Sequence, residues 1–245
     1  MRLLVYNVRY CTGSGGLFHL PWSGYLKRTG KNLKAITHFI RSWSPDIIGL
    51  LEVDAGSYRS HRKNQAEAIA QSLGHYHIYE SKYASPSLAR RVPVMNKQAN
   101  AFLTSDIIRH EAFHYFEQGV KRLVIQLDTD DLTVFLVHLA LTFRTRQNQL
   151  SELYSMVKDV RKPCIVAGDF NVFWGNKEIH LFLAATGLLN ACPDTRPTYP
   201  SWAPKRQLDF ILHSKNIDVT DFQVPQVMYS DHLPLICDFQ IRPGI

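Results

Sequence analysis

An acid and an amide follow one of the most apolar runs of the chain. The run Ile165–Ala167 leads into the tetrapeptide GDFN at Gly168–Asn171. In extended chain, Asp169 and Asn171 point to the same side because successive side chains alternate. A carboxylate at the end of a buried strand is costly unless another group pairs with it. The pattern therefore indicates either a catalytic strand end or an Asp/Asn turn, and the rest of the chain has to decide between them.

Five further apolar runs are bordered by an Asn, Asp, Glu or His. Such residues follow the apolar run at Asn7, Glu52 and His138, and they precede it at Asp209 and at the pair Asp231 and His232. If all six borders meet at one site, four strands deliver them at carboxyl ends and two at amino ends. Mixed or antiparallel sheets are then expected, and a doubly wound parallel sheet is disfavoured.

The chemistry of this set is that of a hard divalent cation. Carboxylate and amide oxygens without thiolates suit Mg²⁺ or Mn²⁺ rather than zinc. Two histidines, His138 and His232, can change protonation near neutral pH. A metal that stabilises phosphoryl oxygens, together with a base that activates water, would hydrolyse a phosphate ester.

The elements that must position these groups can be read from the hydrophobic pattern. Apolar runs that predict strands covered on both faces lie at Leu3–Val8, Asp46–Val53, Leu123–Leu127, Leu132–Leu141, Cys164–Phe170, Leu208–His213 and Leu233–Ile241. Helical spacing or helix end signals predict helices at Asn32–Trp43, Gln65–Leu73, Gln147–Val160 and Asn176–Thr186. Strands interleaved with few helices indicate an α/β or α+β layered fold, and the absence of repeats or linkers predicts one domain over residues 1–245.

The composition and charge of the chain limit its expected binding partners and its expected cellular location. The 245 residues carry a formal net charge of +7, which favours polyanionic partners such as nucleic acid or an anionic membrane surface. Four widely spaced cysteines predict buried thiols rather than a zinc site. No apolar run approaches the ~20 residues of a membrane span, and the first residues lack the features of a signal peptide. We therefore expect a cytoplasmic monomer without a transmembrane segment.

Three long loops mix aromatic and basic side chains: Cys11–Gly30, Ser81–Gln98 and Asp194–Arg206. Such loops suit base stacking with phosphate binding, and the alternative is that their aromatics pack back on the core. The substrate-binding candidates in the last two loops are Arg90, Arg91 and Trp202. In the first loop, the apolar cluster Leu17–Trp22 beside Lys27 and Arg28 suits a peripheral membrane contact.

Six short motifs occur in the order of one known superfamily. They are YNV at Tyr6–Val8, LEVD at Leu51–Asp54, VHL at Val137–Leu139, GDFN at Gly168–Asn171, LDF at Leu208–Phe210 and SDHLPL at Ser230–Leu235. The chain resembles the endonuclease/exonuclease/phosphatase superfamily, which includes pancreatic-type deoxyribonucleases, abasic-site endonucleases, neutral sphingomyelinases and inositol-polyphosphate 5-phosphatases. The resemblance implies a four-layer α/β/β/α sandwich with two mixed sheets and a metal-dependent phosphoesterase site at one edge of them.

The resemblance also implies a metal set. Glu52 corresponds to the principal ligand of Mg²⁺ or Mn²⁺, with Asn7 beside it. Asp231 resembles a second carboxylate near the metal.

The resemblance implies catalytic roles for five more residues. Asp169 corresponds to the group that orients or deprotonates water, and Asn171 to a donor toward the phosphoryl oxygen. His232 corresponds to the imidazole that contacts phosphate or acts as the base, with Asp209 fixing its tautomer. His138 matches a histidine that contacts phosphate or protonates the leaving group. Whether Asp169 or His232 is the base stays open.

Two positions depart from the pattern of relatives. Leu51 stands where a glutamine often precedes the metal-binding glutamate. Arg9 stands where abasic-site enzymes carry an acid, and together with His138 this argues against a dedicated abasic-site enzyme.

Several neighbouring assignments stay open. Asn100 resembles a segment of relatives that touches phosphate, and the alternative is a buried amide that caps a strand. Glu80 is only a candidate for the carboxylate partner of His138. Arg146 and Gln149 are interpreted as salt-bridged surface residues.

Three classes of function compete. The first is a Mg²⁺-dependent nuclease, the second a phospholipid or lipid-headgroup phosphodiesterase, and the third a binding protein that kept the fold, which the complete polar set disfavours. For the nuclease, basic side chains should flank the cleft of Asp169 and His232, namely those of Lys82, Arg90, Arg91, Lys205 and Arg206.

Overall fold

The computed structural model describes residues 1–14, 29–83 and 91–242. The first-sheet strands are β1 (Arg2–Asn7), β2 (Ile47–Asp54), β3 (Tyr76–Ser81), β4 (Gln98–Thr104), β11 (Ile217–Gln223) and β12 (Leu235–Ile241). Those of the second sheet are β5 (His110–Tyr115), β6 (Leu123–Asp128), β7 (Thr133–His138), β8 (Cys164–Asp169), β9 (Leu189–Asn190) and β10 (Asp209–His213). The helices are α1 (Gly30–Trp43), α2 (Gln65–Leu73), α3 (Phe143–Val157) and α4 (His180–Thr186). Arg90 and the cluster Leu17–Trp22 lie outside the described residues.

Both sheets are mixed, as the positions of the polar borders predicted. The first has the order β11-β12-β1-β2-β4-β3 and the second β5-β6-β7-β8-β10-β9. In each sheet one central pair is parallel, β1 with β2 and β7 with β8, and the other named strand pairs are antiparallel. The carboxyl ends of β1, β7 and β8 can therefore meet the amino ends of β10 and β12 at one edge.

The alternation of side chains along β1 explains the four layers. Leu3 and Val5 pack into the core between the sheets, whereas Leu4 and Tyr6 pack against α1 and α2. The second sheet packs its outer face against α3 and α4 in the same way. The result is the expected α/β/β/α sandwich, in which both sheets are covered on both faces. All four cysteines are free and buried.

Arg146 and Gln149 are buried in α3, so their interpretation as surface residues is wrong. Arg146 binds the Glu178 carboxylate and donates to the carbonyl oxygens of Ala140 and Leu141 at 2.8 and 3.0 Å. Gln149 accepts a hydrogen bond from the backbone N–H of Ala140 at 2.8 Å. These side chains fix the chain that follows β7 instead of facing solvent.

No helix of the described residues combines the length and the apolar character needed to span a bilayer. The single-domain, monomer and cytoplasmic assignments stay predictions.

Candidate active site

Three of the expected site residues lie in one row across neighbouring strands. His138 is paired with Asp169 in the parallel register of β7 and β8. Asp169 is paired with Asp209 in the antiparallel register of β8 and β10. Because residues opposite each other in a sheet project to the same face, the three side chains meet at the edge where the strands end.

Gly168 allows β7 and β8 to approach closely just before this row. Its φ is +140°, and a Cβ added there would lie 2.0 Å from the carbonyl oxygen of Val137. Only glycine fits such a backbone, which explains why this residue precedes Asp169 in the GDFN motif.

His232 reaches this row from the first sheet, just before β12. Its Nδ1 lies 2.8 Å from Oδ2 of Asp209, and that oxygen also accepts from the Thr198 hydroxyl at 2.6 Å. With Nδ1–H donating to Asp209, Nε2 faces Oδ2 of Asp169 at 3.9 Å. Burial alone would lower the pKa of His232, but the Asp209 and Asp169 carboxylates outweigh it and raise the pKa to about 10.

The Asp169 carboxylate is the hub of the site. Its Oδ2 lies 3.1 Å from Nε2 of His138 and accepts from the Asn7 amide at 3.3 Å. Its Oδ1 accepts from the backbone N–H of Asn171 at 3.0 Å. Burial would raise the pKa of Asp169, but His138 and His232 hold it well below its usual range. Asp169 is therefore ionised although it is 1% exposed.

Lys121 belongs to the site, and the sequence patterns did not single it out. Its ammonium group contacts Nε2 of His138. Burial and the positive charge of Lys121 lower the pKa of His138 to about 4, against the effect of Asp169. The carboxylate beside His138 is thus Asp169 rather than Glu80, and Nδ1 of His138 lies 3.9 Å from Oε1 of Glu52.

Glu52 lies at an irregularity of β2. The pairing of β2 with β4 shifts between Leu50 and Val53, and Glu52 has a φ of +56°. The buried amide of Asn100 accepts from the backbone N–H of Glu52 at 3.2 Å. The side chain of Asn100 thus hydrogen-bonds to the backbone of β2, which matches the alternative of a buried amide that caps a strand.

Two lysines compensate the charge of Glu52. Nζ of Lys82 lies 3.2 Å from Oε1 of Glu52, and it donates to the Tyr10 hydroxyl at 3.0 Å. Burial would raise the pKa of Glu52, but Lys82 and Lys121 hold it well below its usual range. Burial lowers the pKa of Lys82 to about 8 against the opposite effect of Glu52.

A left-handed turn follows Asn7. Arg9, Tyr10 and Cys11 have φ values of +44°, +54° and +58°, a conformation that L-residues rarely adopt in succession. Oδ1 of Asn7 accepts from the backbone N–H of Arg9 at 3.2 Å. The turn brings Nε of Arg9 to 3.7 Å from Oδ2 of Asp231.

These groups line a pocket of about 520 Å³. Six of the expected site residues are among its lining: Asn7, Glu52, Asp169, Asn171, Asp231 and His232. His138, Asp209 and Asn100 are buried and act on lining residues through the contacts given above. Of the expected substrate-binding residues, Arg91 and Trp202 are exposed and do not line this pocket, while Arg90 is not described. Lining residues that sequence patterns did not select for the site include Arg9, Tyr10, Lys121, Phe173 and Tyr199.

The donor set fits a hard divalent cation. Ligand atoms of Asp169, Asp209 and His232 lie within 4.8 Å of one another. The oxygens of Asn7, Glu52 and Asp231 line the same pocket. Carboxylate and amide oxygens are the ligands that Mg²⁺ and Mn²⁺ prefer.

Comparison with protein families gives a match across most of the chain. The model of the Endonuclease/Exonuclease/phosphatase family matches residues 4–232.

Solved structures share the fold over nearly the whole chain. A functionally unknown conserved protein from Enterococcus faecalis V583 superimposes with a TM-score of 0.74 at 14% identity, covering 99% of this chain and 100% of that one. The human Nocturnin catalytic domain with bound sulfate gives 0.70 at 22% identity, with coverages of 98% and 94%. A mannosyl-6-phosphatase from Bacteroides thetaiotaomicron gives 0.72 at 15% identity, with coverages of 98% and 100%.

Curated relatives match over a shorter stretch. UPF0294 proteins from Vibrio vulnificus and Yersinia pestis are 33% and 32% identical over 100 and 112 residues. These alignments cover 39% and 44% of this chain, but only 34% and 42% of the relatives. The match therefore spans less than half the length of either relative.

Proposed function

The chain belongs to the endonuclease/exonuclease/phosphatase family, and on that premise we propose that it hydrolyses phosphodiester bonds of nucleic acid with the help of Mg²⁺ or Mn²⁺. One observation carries the proposal. The hydrogen-bonded pair Asp209–His232 directs Nε2 toward the ionised Asp169 at 3.9 Å. That gap exceeds a direct hydrogen bond, and an oxygen atom of water or phosphate placed there would contact both groups.

The charge state of these residues suits attack by water on a phosphate ester. Asp169 is ionised and accepts a hydrogen bond from the attacking water, which orients it. Protonated His232 donates from Nε2 to a phosphoryl oxygen, while Asp209 holds the ring. The amide of Asn171, which also donates to the carbonyl oxygen of Leu139 at 2.9 Å, borders the same pocket. His138 keeps its neutral imidazole against Asp169.

Three residues are proposed to hold the metal: Asn7, Glu52 and Asp231. When bound, the cation would supply positive charge to the phosphoryl oxygens. The side chains of Lys82 and Lys121 add positive charge from the protein itself next to Glu52 and His138.

We favour nucleic acid as the substrate because cations and aromatic rings line the pocket together. Arg9, Lys121 and Arg206 line it together with Phe173 and Tyr199. Basic groups bind the backbone phosphates and aromatic rings offer faces to bases. The net charge of +7 adds long-range attraction for polyanions.

A lipid-headgroup phosphodiesterase is the second candidate, and the pocket rim favours it. Four large apolar side chains near the pocket in the chain are exposed, Val120 at 69%, Leu141 at 57%, Phe143 at 52% and Trp174 at 79%. Val120 and Leu141 line the pocket, Phe143 is two residues from Leu141, and Trp174 follows the lining residue Phe173. We call these four side chains the apolar rim. Aliphatic and aromatic side chains together can enter a membrane interface, and Arg144 in the first turn of α3 would meet anionic headgroups.

The decisive experiment is a hydrolysis panel. Single- and double-stranded DNA, RNA, sphingomyelin, phosphatidylinositides and bis(p-nitrophenyl) phosphate are each assayed with Mg²⁺, Mn²⁺, Ca²⁺ or EDTA. We expect nucleic acid to be cleaved with Mg²⁺ or Mn²⁺ and not with EDTA. Asp169→Asn and His232→Ala should each lower kcat/KM on the order of 10³-fold, as expected when one member of a cooperating set is removed.

Matched substitutions on the exposed surface control for general effects. Asp131→Asn and His180→Ala repeat the same chemical changes at exposed positions and should leave kcat/KM within about twofold, as is usual for surface substitutions. Activity that survives both site substitutions would refute the site. Cleavage of lipids but not of nucleic acid would replace the first candidate by the second.

A further inference from the structure

Arg206 is held in a fixed position relative to the catalytic pair. An antiparallel bridge joins Tyr199 to Arg206, with hydrogen bonds of 3.0 Å in both directions between their backbones. The preceding residue, Thr198, donates its hydroxyl hydrogen bond to Asp209 at 2.6 Å. The loop that orients the partner of His232 therefore also fixes the backbone of Arg206.

Aromatic rings connect this guanidinium to His232. The Arg206 guanidinium lies over the ring of Phe173 at 5.5 Å, and Phe173 packs edge-on against Tyr199 at 6.4 Å. The Tyr199 ring lies 5.0 Å from that of His232. Among the described residues, no carboxylate forms an ion pair with Arg206 within 4.0 Å, and Arg206 lines the pocket.

Arg9 brings a second guanidinium to the same end of the pocket from the other sheet. Its left-handed turn fixes its backbone, and its Nε forms an ion pair with Oδ2 of Asp231 at 3.7 Å. Asp231 directly precedes His232, against which the Tyr199 ring packs, so Arg9 and Tyr199 lie against neighbouring residues. All three side chains, Arg9, Tyr199 and Arg206, line the same pocket.

The scissile phosphate does not need these two arginines. On the proposed function it is bound by His232, Asn171 and the metal, and Lys121 lies beside His138. We infer that Arg9, Tyr199 and Arg206 form a subsite for a second phosphate group of the substrate, next to the scissile one. Guanidinium groups suit this role because they bind phosphate through two parallel hydrogen bonds. The inference rests on the proposed function and adds a substrate class to it, esters that carry an additional phosphate.

Two pairs of small ligands test the subsite by binding, without turnover. Thymidine 5′-monophosphate is compared with thymidine 3′,5′-bisphosphate, and inositol 1-phosphate with inositol 1,4-bisphosphate, by isothermal titration calorimetry. We expect at least one bisphosphate to bind about tenfold more tightly than its monophosphate, the effect of one charge-assisted contact. A preference in the nucleotide pair points to nucleic acid, and one in the inositol pair points to a lipid headgroup.

For the variant Arg206→Gln, the ratio of the bisphosphate affinity to the monophosphate affinity should lie within about twofold of unity, since the neutral amide loses the charge-assisted contact. Arg161→Gln makes the same chemical change at an exposed position before the amino end of β8, away from the site, and should keep the ratio. Equal binding of both members of each pair by the wild type, or an equal loss of preference in Arg161→Gln, would overturn the inference. Absence of hydrolysis in the panel above would refute the proposed function and leave the calorimetric result to decide on the subsite.

Discussion

His138 and His232 lie on opposite sides of Asp169, yet their pKa values move in opposite directions. His232 has two carboxylates near it, which raise its pKa to about 10 despite burial. His138 shares Asp169 but also contacts the ammonium group of Lys121, and burial adds to that effect, so its pKa falls to about 4. One carboxylate is thus bordered by a protonated and by a neutral imidazole at pH 7.

The two histidines should give the stability of the protein opposite pH dependences. His232 binds its proton more tightly when folded, so its contribution is full below pH 6.5 and is lost as the pH rises toward 10. His138 binds its proton less tightly when folded, so its contribution is present above pH 6.5 and is lost as the pH falls toward 4. Each slope is at most about 1.4 kcal/mol per pH unit for one proton.

Urea unfolding in EDTA from pH 4.5 to 9.5 measures both slopes. The free energy of unfolding of His232→Gln should fall less than that of the wild type between pH 7 and 9.5, by roughly 1 kcal/mol or more. The free energy of unfolding of His138→Gln should fall less than that of the wild type as the pH decreases from 6.5 to 4.5. Profiles that run parallel to the wild type for both variants would contradict the assignment.

At the residue scale, the sequence could predict the groups that border apolar runs but not those brought in by pairing. Asn7, Asp169 and His232 are recognisable because a polar residue next to a core strand requires a partner. Lys121 precedes β6 in a polar turn, where a lysine is ordinarily solvated. Only the antiparallel pairing of β6 with β7, with Val124 opposite Val137, brings it to His138.

At the element scale, central strands were predictable and edge strands were not. β1, β2, β7, β8, β10 and β12 are continuous apolar runs because both of their faces are covered. β3, β5 and β11 carry many polar or half-exposed residues, so periodicity does not distinguish them from loops. β4 is fully buried, but its sequence QANAFLT begins with polar residues and follows a loop.

The start of α3 was misplaced for a related reason. The prediction began this helix at Gln147, whereas it begins at Phe143, because Phe143, Arg144 and Thr145 have no apolar periodicity. Arg146 then falls in the first turns of α3, where its guanidinium reaches Glu178 and two carbonyl oxygens. A buried arginine of this kind resembles a surface residue in sequence because its partners are distant in the chain.

Gly168→Ala tests the close approach of β7 and β8. The added methyl group would overlap the carbonyl oxygen of Val137 at 2.0 Å, at a φ of +140°. We expect a loss of about 3 kcal/mol or more in the free energy of unfolding, since a backbone oxygen cannot move aside as a side chain can. Chemical denaturation measures the change.

Gly187→Ala is the matched control. Gly187 has a φ of +70° at the end of α4, but an added Cβ meets nothing within 4 Å. Only the cost of a left-handed alanine applies, about 1 kcal/mol. Equal losses in the two variants would show that the backbone conformation matters and the strand contact does not.

At the scale of the whole molecule, the site exists only where the two sheets meet. β1, β2 and β12 bring Asn7, Glu52 and His232, whereas β7, β8 and β10 bring the row of His138, Asp169 and Asp209. The directions of the strands follow from sequence, since polar borders lie at carboxyl ends in one set and at amino ends in the other. The way in which the two sheets pack face to face does not follow from the sequence pattern, because it depends on side chains throughout the core between them.

Buried polar side chains of α3 and of the segment before α4 fix the backbone around the apolar rim. Gln149 donates to the carbonyl oxygens of Gln118 and Lys121, which fixes the turn of Val120. Arg146 donates to the carbonyl oxygen of Leu141, and Glu178 accepts from the backbone N–H of Trp174 at 2.8 Å. Three loops thus present exposed apolar side chains on a rigid base, the kind of surface that either proposed substrate would contact.

Substitutions in this rim separate the two candidate substrates. A base stacks on an aromatic face and gains little from an aliphatic side chain, whereas a bilayer interface accepts both kinds by their apolar area. On the nucleic-acid proposal, Trp174→Ser should weaken binding of single-stranded DNA about tenfold or more, and Leu141→Ser should change it by less than about twofold. Fluorescence anisotropy in EDTA measures the affinities without cleavage.

Vesicle co-sedimentation with phosphatidylcholine and phosphatidylserine completes the comparison. Ile107→Ser is the control, since Ile107 is 59% exposed and follows the end of β4 opposite the start of β2, at the edge away from the site. If Trp174→Ser and Leu141→Ser both weaken vesicle binding, Ile107→Ser does not, and DNA affinity is unchanged in all three, the rim serves a membrane. Because aromatic and aliphatic positions share one rigid rim, the pattern between them identifies the substrate class independently of any rate of hydrolysis.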